Sequence, residues 1–409
     1  MIKATKTIIC ALAAILLAWG LPWLCDFLFS SPYRTPFTHY SCVAERFICL
    51  DYTGKDVVYR DFEGNTYTEA EFDSMLPMFY YRQLLADGRL PDTIRGVAVT
   101  PQRIGRENFM FRTNPSDLNV RKPTLYPLLE SMSGRVELQM PPDVFRIAPG
   151  IEFIDIASNS VVEEKSDRFA RMMLEKGFTY PAARVSGNPT TRKEYDEGYL
   201  VVDARGELFH LKQTVGRPYL KHIALPEGVR AEEAFITEFP SRCTYGFITD
   251  TQNRLYVVLA PGYEVREIPV PGFDPHTQGL SLIGDMFNWT FRITSAGSES
   301  YYAVNASDLS LADTHTYDFP DDCWDAASEY VFPFRLSFTD YDDKYVYLRA
   351  AGFSWKAIIL NALLAAAFVL IRRRGRREGL QGCTWLSALL ILPFGLFLFV
   401  PLLVLGERR

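Results

Sequence analysis

The chain has 409 residues, of which 48% are apolar, 14% aromatic and 22% charged, and its formal net charge is −6. This composition excludes a disordered or collagen-like chain, and seven cysteines are too few for a small disulfide-stabilised scaffold. The apolar residues are concentrated at the two ends. The sequence therefore predicts membrane segments at both ends and a large globular domain between them.

The first predicted element is an apolar segment, residues 7–29, which follows Lys3 and Lys6. The segment is long enough to cross a bilayer core of about 30 Å. A cleaved signal peptide is the alternative, because it has the same basic start and apolar run. The bulky pair Trp23 and Leu24 fits neither a small-residue cleavage site nor a lipobox. We therefore expect residues 1–29 to form an uncleaved N-terminal anchor.

Residues 30–354 are predicted to form a mainly β domain. Four segments combine an apolar strand, a polar turn and an aromatic-rich strand, namely 199–211, 245–258, 290–304 and 334–348. Their turns begin at Asp203, Asp250, Ser295 and Asp340. The spacings between these residues are 47, 45 and 45 positions. A strand repeat of roughly 40 to 50 residues is typical of propeller blades. The sequence predicts a propeller-like repeat of about six to eight hairpin units, with a β-sandwich or two smaller β-domains as the alternative.

A few helical insertions are expected in the first half of this domain. Thr68 and Ser160 each precede a Glu by three residues, which is the capping-box spacing, and helically spaced apolar residues follow. Pro77 is expected to kink or split the first of these helices. A third short helix is predicted within residues 123–134. The apolar faces are expected to pack on the core, with docking of a partner as the alternative for the first helix.

Two further transmembrane helices are predicted, at residues 355–371 and 383–406, with a basic cytoplasmic loop at 372–382. Pro393 and Pro401 predict a kink in the last helix that neighbouring helices must cover. The positive-inside rule places the basic flanks in the cytoplasm and the domain at 30–354 outside. An anionic-lipid or protein contact is the alternative role of the arginines. The topology residues are Lys3, Lys6, Arg372, Arg373, Arg374, Arg376 and Arg377.

The outer domain carries most of the negative charge. Residues 1–29 have a net charge of +1 and residues 356–409 of +6, which leaves −13 for the domain between them. A surface of that sign repels a nucleic-acid backbone, so we expect no nucleic-acid partner.

The sequence contains no motif typical of an ATPase, a zinc protease, a serine hydrolase or a dinucleotide enzyme. The five histidines are not at metal-ligand spacing, and no cofactor is expected apart from a weak calcium candidate. Hard cations prefer clustered carboxylates, and an acidic cluster lies within residues 318–325. The cluster lacks the glycine and terminal Glu of an EF-hand loop, so a solvated acidic loop is the simpler interpretation. The weak metal candidates are Asp318, Asp321, Asp322 and Asp325.

Four cysteines fall in the predicted outer domain, where disulfides persist. Cys42 can pair with Cys49 across a local hairpin, and Cys243 with Cys323 is a second pairing. Spacing alone does not determine the connectivity.

Within residues 119–211, the runs KPTLYPLLESMSGRVEL, PPDVFRI and GNPTTRKEYDEGYLVVD resemble an uncharacterised family of bacterial membrane proteins defined by a domain of unknown function. The resemblance implies a Gram-negative inner-membrane protein with a periplasmic domain. It also implies that the gene for this protein lies beside genes for ABC-transporter components. ABC-transporter subunits are therefore the expected partners. It implies no catalytic residues.

These observations favour a non-enzymatic accessory or scaffold subunit of a transporter or envelope complex. A periplasmic ligand-binding sensor is the second hypothesis. A periplasmic enzyme with a site at the propeller centre is the third, and it would require convergent carboxylates or histidines in a deep pocket.

Overall fold

The computed structural model describes residues 2–405 except 32, 53, 55, 121, 133, 135, 136, 339–347 and 375–381. The chain divides into two compact units. Unit 1 combines Met1–Arg34 with Phe319–Arg409, and unit 2 is Thr35–Asp318. The division between the units falls after Asp318, whereas the sequence predicts that the outer domain extends to residue 354.

Unit 2 is mainly β, as predicted, and its strands form antiparallel meanders in chain order. The first sheet contains β1 (Phe37–Ser41), β2 (Arg46–Asp51), β3 (Val58–Asp61) and β4 (Thr66–Tyr67). A short hairpin follows, with β5 (Thr93–Ile94) and β6 (Val97–Ala98). A three-stranded sheet then contains β8 (Asp143–Ile147), β9 (Ile151–Asp155) and β10 (Ser160–Val161).

Three larger sheets complete unit 2. One contains β11 (Ala182–Gly187), β12 (Tyr199–Asp203), β13 (Leu208–Thr214) and β14 (Arg217–Ile223). The next contains β15 (Ala231–Ile236), β16 (Thr244–Asp250), β17 (Leu255–Leu259) and β18 (Glu264–Glu267). The last contains β19 (Gly279–Gly284), β20 (Asn288–Thr294), β21 (Ser298–Asn305) and β22 (Leu311–Asp318), with β7 (Phe109–Thr113) added beside β19.

These sheets pack face to face, and the alternation of side chains along one strand shows how. In β12, Tyr199 and Val201 join a cluster with the β8–β10 sheet, whereas Leu200 and Val202 join a cluster with the β15–β18 sheet. Successive side chains of a strand point to opposite faces, so a sheet covered on both sides needs a continuous apolar run. This accounts for the sequence YLVVD, which is buried throughout.

The first three predicted hairpins are present, and a buried aspartate closes the first two of them in the same way. Asp203 Oδ1 accepts hydrogen bonds from the backbone N–H groups of Arg205 and Glu207, at 2.8 and 3.0 Å. Asp250 Oδ1 accepts from the N–H groups two and four residues later, both at 2.9 Å. Both carboxylates are buried, and Ser295 lies between β20 and β21 at the third turn. An aspartate that binds its own turn fixes the hairpin register.

The fourth predicted hairpin is not part of this repeat. Its strands, β23 (Arg335–Ser337) and β24 (Arg349–Ala351), form a separate two-stranded sheet in unit 1, and Asp340 lies outside the described residues. Among the described residues, four sheets of unit 2 have four or more strands. The shorter β5–β6 and β8–β10 sheets bring the number of described sheets in unit 2 to six, against the six to eight hairpin units expected.

The helices of unit 2 are α2 (Glu69–Met75), α3 (Tyr81–Ala86), α4 (Pro101–Glu107), α5 (Pro115–Asn119) and α6 (Glu163–Glu175). Thr68 forms the predicted capping box with Glu71, and Pro77 lies between α2 and α3, which confirms the predicted split. The second capping box was wrong, because Val162 is the N-cap of α6 and Ser160 lies in β10. The described part of 123–134 is not helical, since Tyr126 pairs with Phe145 in an extended bridge.

Unit 1 contains α1 (Ile2–Phe29), α7 (Cys323–Val331), α8 (Ile358–Arg374), α9 (Gly382–Phe394) and α10 (Leu396–Leu405). Among the described residues, one helix is long and apolar enough to span a membrane, namely α1 over Ala4–Phe29, in which an 18-residue stretch has a mean hydropathy of 2.3. The sequence predicted three such helices. The second is a 17-residue helix that ends in three arginines, and the third is divided into α9 and α10.

The division between α9 and α10 has a local cause. Pro393 lacks an N–H group, and Gly395 adopts a φ of +52°, in the left-handed region that interrupts a helix. The carbonyl of Leu392 instead accepts a hydrogen bond of 2.8 Å from Asn361 Nδ2 in α8. A neighbouring helix thus covers the interruption, as the two prolines in the sequence predicted.

Candidate functional site

A polar cavity of about 320 Å³ lies in unit 2 beside the turn that precedes β19. We call it the Glu233–His276 cavity. Its walls carry carboxylates, hydroxyls, an amide and an imidazole, so it presents mainly hydrogen-bonding groups. The lining residues are Glu232, Glu233, Thr249, Thr251, Asn253, Asp274, Pro275 and His276.

Glu233 reaches the cavity because of a β-bulge. The register of β15 against β16 shifts between Ala231 and Glu233, which places Glu232 in the bulge. Bulges redirect side chains and are frequent beside functional sites. The Glu233 side chain is only 2% exposed, and its carboxylate lies beside the Arg184 guanidinium and the His276 ring.

His276 is held by Asn119 on one side and by Glu233 on the other. The Asn119 amide donates from Nδ2 to the His276 carbonyl at 2.8 Å, which orients its Oδ1 towards His276 Nδ1 at 2.7 Å. His276 Nε2 lies 3.1 Å from Glu233 Oε1. Both ring nitrogens therefore face oxygen atoms that can accept hydrogen bonds. The site can bind a polar ligand, and it places an acid and a base side by side.

A second cavity, of about 580 Å³, is formed mainly by α2, α3 and the segments that flank them. We call it the α2–α3 cavity. It is lined by Thr68, Glu69, Ala70, Asp73, Tyr80, Gln83, Asp87 and Arg89. Three carboxylates and one guanidinium make its charge predominantly negative.

A polar cluster also lies in unit 1, at the C-terminal end of α1. Asp26 accepts hydrogen bonds from Trp324 Nε1 and from Arg335 Nη1, each at 2.7 Å. Farther back along α1, Ala18 packs against Phe332 and Phe397. The N-terminal helix is thus joined to three C-terminal elements, α7, β23 and α10, through both polar and apolar contacts.

The candidate metal ligands lie at the end of β22 and at the start of α7. Asp318 ends β22 in unit 2, whereas the other three aspartates belong to unit 1. Asp322 is the N-cap of α7, and its carboxylate accepts from the N–H groups of Trp324 and Ser31 at 2.9 and 2.8 Å. Within the described part of the chain, no group of three or more potential ligands is suited to a metal ion.

The structure holds the four cysteines of the predicted outer domain as free thiols, so neither proposed disulfide is formed. Cys49 on β2 is in register with Thr38, whereas Cys42 packs in a cluster with Met78 and Ile104. Cys243 shares a hydrogen bond with Ser241, and Cys323 belongs to the other unit.

The basic topology residues are only partly described. Lys6 lies in the first turns of α1, and the backbone of Lys3 is helical as well. Arg372, Arg373 and Arg374 form the last turn of α8, while Arg376 and Arg377 lie outside the described residues. Arg372 Nη2 donates a hydrogen bond of 2.8 Å to the carbonyl of Leu402, so this arginine also binds α10.

Sequence reasoning missed the Glu233–His276 cavity, whose members come from distant parts of the chain. Asn119 and His276 are 157 positions apart, and Arg184 and Glu233 are 49 apart. No local motif links them. The acidic pair Glu232–Glu233 in an otherwise apolar strand is a visible irregularity in the sequence.

Comparison with known proteins identifies a family. The model of a domain of unknown function, DUF4857, matches residues 37–304, so the chain belongs to that family. No curated protein sequence matches the chain. Among solved structures, the chain is similar to the Dos1 propeller, with 11% identity, a TM-score of 0.28, and coverage of 47% of this chain and 48% of that one. It thus spans about half the length of that structure.

A second similar structure is the dihydro-heme d1 dehydrogenase NirN in complex with DHE. The identity is 10% and the TM-score 0.24, with coverage of 70% of this chain and 72% of the dehydrogenase.

Proposed function

We propose that this member of a family of unknown function is a membrane-anchored accessory subunit without catalytic activity. It holds a periplasmic β-rich domain beside a transporter or another envelope complex in a bacterial inner membrane. The single observation that carries the proposal is the contact of α1 with the C-terminal elements. Asp26 binds both Trp324 and Arg335, so the N-terminal helix is an integral part of unit 1.

This contact favours an anchor over a cleaved signal peptide. Removal of α1 would leave the Arg335 guanidinium without Asp26, and would leave the apolar cluster around Phe332 and Phe397 without Ala18. Both losses destabilise the remaining chain, since a half-buried charge loses its partner and apolar surface becomes exposed. A signal peptide has no reason to make such contacts with the mature protein.

In this proposal α8, α9 and α10 also lie in the membrane. At about 1.5 Å per residue, the 17 residues of α8 extend about 26 Å, slightly less than the hydrocarbon core. Trp355 before the helix and the three arginines at its end suit the two interfaces, which extends the usable length. The basic end of α8 then lies in the cytoplasm and unit 2 lies outside.

The packing of unit 2 supports a propeller-like domain, because consecutive four-stranded meanders stack through both faces. Such a domain offers a broad, rigid binding surface outside the membrane. Apolar side chains on the helices remain largely exposed, including Leu12 of α1 and Leu363 of α8. Contiguous exposed apolar surface requires lipid or the helices of an integral-membrane partner.

Purification of the tagged full-length protein in mild detergent after light crosslinking tests the proposal. We expect an intact mass that includes residues 1–29, and stoichiometric integral-membrane subunits identified by mass spectrometry. A mature protein that begins after residue 29 would overturn the anchor. A pure, monodisperse chain without a partner would overturn the accessory role.

A ligand-binding sensor is the second candidate, and the Glu233–His276 cavity favours it. A screen of small polar ligands by thermal shift of the full-length protein tests this function. A genuine ligand stabilises the wild type but not Thr251→Tyr, whose larger side chain fills the cavity. If no polar ligand shows this difference, the sensor function is wrong.

A further inference from the structure

The α2–α3 cavity contains more negative charge than its own residues neutralise. Glu69, Asp73 and Asp87 face a single cation, Arg89. Arg89 is already engaged by Asp87, to which its Nε and Nη2 donate at 3.2 and 2.6 Å. Its Nη1 donates to the Ala70 carbonyl at 2.8 Å and to Ser74 Oγ at 3.0 Å. Little of the positive charge of Arg89 is therefore available to the other two carboxylates.

Asp73 is the carboxylate that lacks a close partner. The residue is only 8% exposed, and its nearest cation, Arg89 Nη2, is 3.9 Å from Oδ2. Among the described residues, no side chain or backbone group donates a hydrogen bond to it. Burial raises the pKa of Asp73, and the charges of Glu69 and Asp87 raise it further against the opposing charge of Arg89. Buried carboxylates ordinarily accept hydrogen bonds, so a carboxylate held only by an ion pair at 3.9 Å has unused acceptor capacity.

Aromatic side chains accompany the acidic groups. Tyr80 lines the cavity, and the charge of Asp73 raises the pKa of both Tyr80 and Tyr59, after the larger effect of burial. An aromatic wall beside carboxylates attracts organic cations, because the ring face and the carboxylate both favour positive charge. A hydrated metal ion gains nothing from an aromatic wall.

We propose that the α2–α3 cavity binds an organic cation, a primary ammonium or a guanidinium group, which pairs with Asp73 and packs against Tyr80. The group belongs either to a basic side chain of a partner polypeptide or to a free amine. This inference concerns unit 2 alone and does not rest on the accessory role in the membrane. The cavity adjoins the helix for which the sequence left partner docking open.

Ligand-observed NMR titrations of the full-length protein in nanodiscs provide the test. The probes are the N-acetyl, N-methylamide derivatives of lysine and arginine, with the norleucine derivative as the uncharged control, and putrescine as a free amine. We expect at least one cationic probe to bind at least about tenfold more tightly than norleucine, and to weaken as salt is raised. Binding of a blocked amino acid indicates a polypeptide side chain, and binding of putrescine alone indicates a free amine.

Two variants change the affinity in opposite directions. Asp73→Asn keeps the shape of the side chain and is expected to weaken cation binding at least about tenfold. Arg89→Gln removes the competing cation and is expected to strengthen binding several-fold, which a misfolded protein would not do. Glu71→Gln is the matched control, because Gln maintains the capping box of α2 and residue 71 does not line the cavity.

Equal binding of the norleucine and lysine derivatives would overturn the proposal. So would unchanged affinity in both Asp73→Asn and Arg89→Gln. Loss of binding in Glu71→Gln to the same extent as in Asp73→Asn would also overturn it, since the effect would then reflect net charge alone.

Discussion

Arg335 Nη1 lies 2.7 Å from Asp26 Oδ2, which joins the N-terminal helix to a strand 309 residues later in the chain. The two side chains are each about one third exposed, and Trp324 donates a second hydrogen bond to the other oxygen of Asp26. This pair is the basis for the proposal that the N-terminal helix is retained as an anchor. The account of this chain as an anchored protein depends on that relationship.

The Asp26–Arg335 pair is expected to stabilise unit 1. Asp26→Asn and Arg335→Gln should each lower the Tm of the full-length protein in detergent. The double variant should lose less than the two single losses together, with a coupling free energy of about 1 kcal/mol. Lys356→Gln, which breaks the more exposed pair with Glu329, should leave the Tm unchanged. Strictly additive effects at positions 26 and 335 would contradict the contact.

Gly395 is expected to tolerate no side chain. A Cβ at this position would lie 2.1 Å from Asn361 Oδ1, and the φ of +52° disfavours L-residues. Gly395→Ala should therefore destabilise the full-length protein in detergent by about 2 kcal/mol or more, measured by thermal unfolding. Gly20→Ala in α1, where nothing lies within 4 Å, should be neutral or slightly stabilising. Equal effects of both substitutions would show that the interruption between α9 and α10 is formed differently.

The buried aspartate turns of the repeat are expected to be essential for stability. Asp250→Ala removes the acceptor for the N–H groups of Gln252 and Arg254 and for the Tyr256 hydroxyl. Buried donors without partners cost about 1–3 kcal/mol each, so a loss of about 3 kcal/mol or more in the free energy of unfolding is expected. The measurement is denaturant unfolding of the full-length protein.

Asp308→Ala serves as the control for Asp250→Ala. Asp308 binds the N–H group of Ser310 in a similar turn but is exposed, so water can replace the carboxylate. We expect a loss of less than about 1 kcal/mol. A comparable loss at both positions would mean that burial of the turn is unimportant.

Asp285 is expected to make stability depend on pH. Burial raises its pKa from 3.8 to about 6, against the opposing effects of hydrogen bonds from Asn288 and Phe287 and the charge of Arg95. The folded protein then holds this proton more tightly than the unfolded chain, so the contribution of Asp285 to stability falls as pH rises from about 4 to about 6 and is constant above that. The difference amounts to about 3 kcal/mol.

The variant Asp285→Asn isolates this contribution. Its side-chain oxygen can still accept from the two N–H groups, but the titration is removed. The difference in unfolding free energy between wild type and variant should change across pH 4 to 6 and be flat from pH 7 to 8. A difference that is flat throughout would contradict a protonated Asp285 in the folded state.

The strands were predictable where the sequence repeats a local pattern. In the first three hairpins, strand alternation and a turn-forming residue occur together, and both act within about ten residues. The fourth hairpin has the same composition but lies in unit 1, because Arg335 at its start pairs with Asp26. That pairing depends on a contact across the whole chain, which a local pattern cannot reveal.

The candidate sites were less predictable than the strands. His276 looks ordinary in the sequence, and its role beside Glu233 arises from a bulge in a strand far from it. Asp73 looks like one more acidic residue on a short helix, and its lack of a hydrogen bond depends on where Arg89 is held. The sequence predicted three membrane-spanning helices, whereas the described residues form one long apolar helix and three shorter ones, α8, α9 and α10. Hydropathy does not reveal the interruption at Gly395 that separates α9 from α10.

The most direct test of the central claim is photocrosslinking in cells from the exposed apolar faces of unit 1. A photoreactive residue replaces Leu12 in α1 or Leu363 in α8, both of which point away from the neighbouring helices. The account predicts a discrete adduct with an integral-membrane protein from at least one position, and the same protein should co-purify with the wild type. Lipid adducts alone at both positions, together with a chain that purifies without a partner, would contradict it.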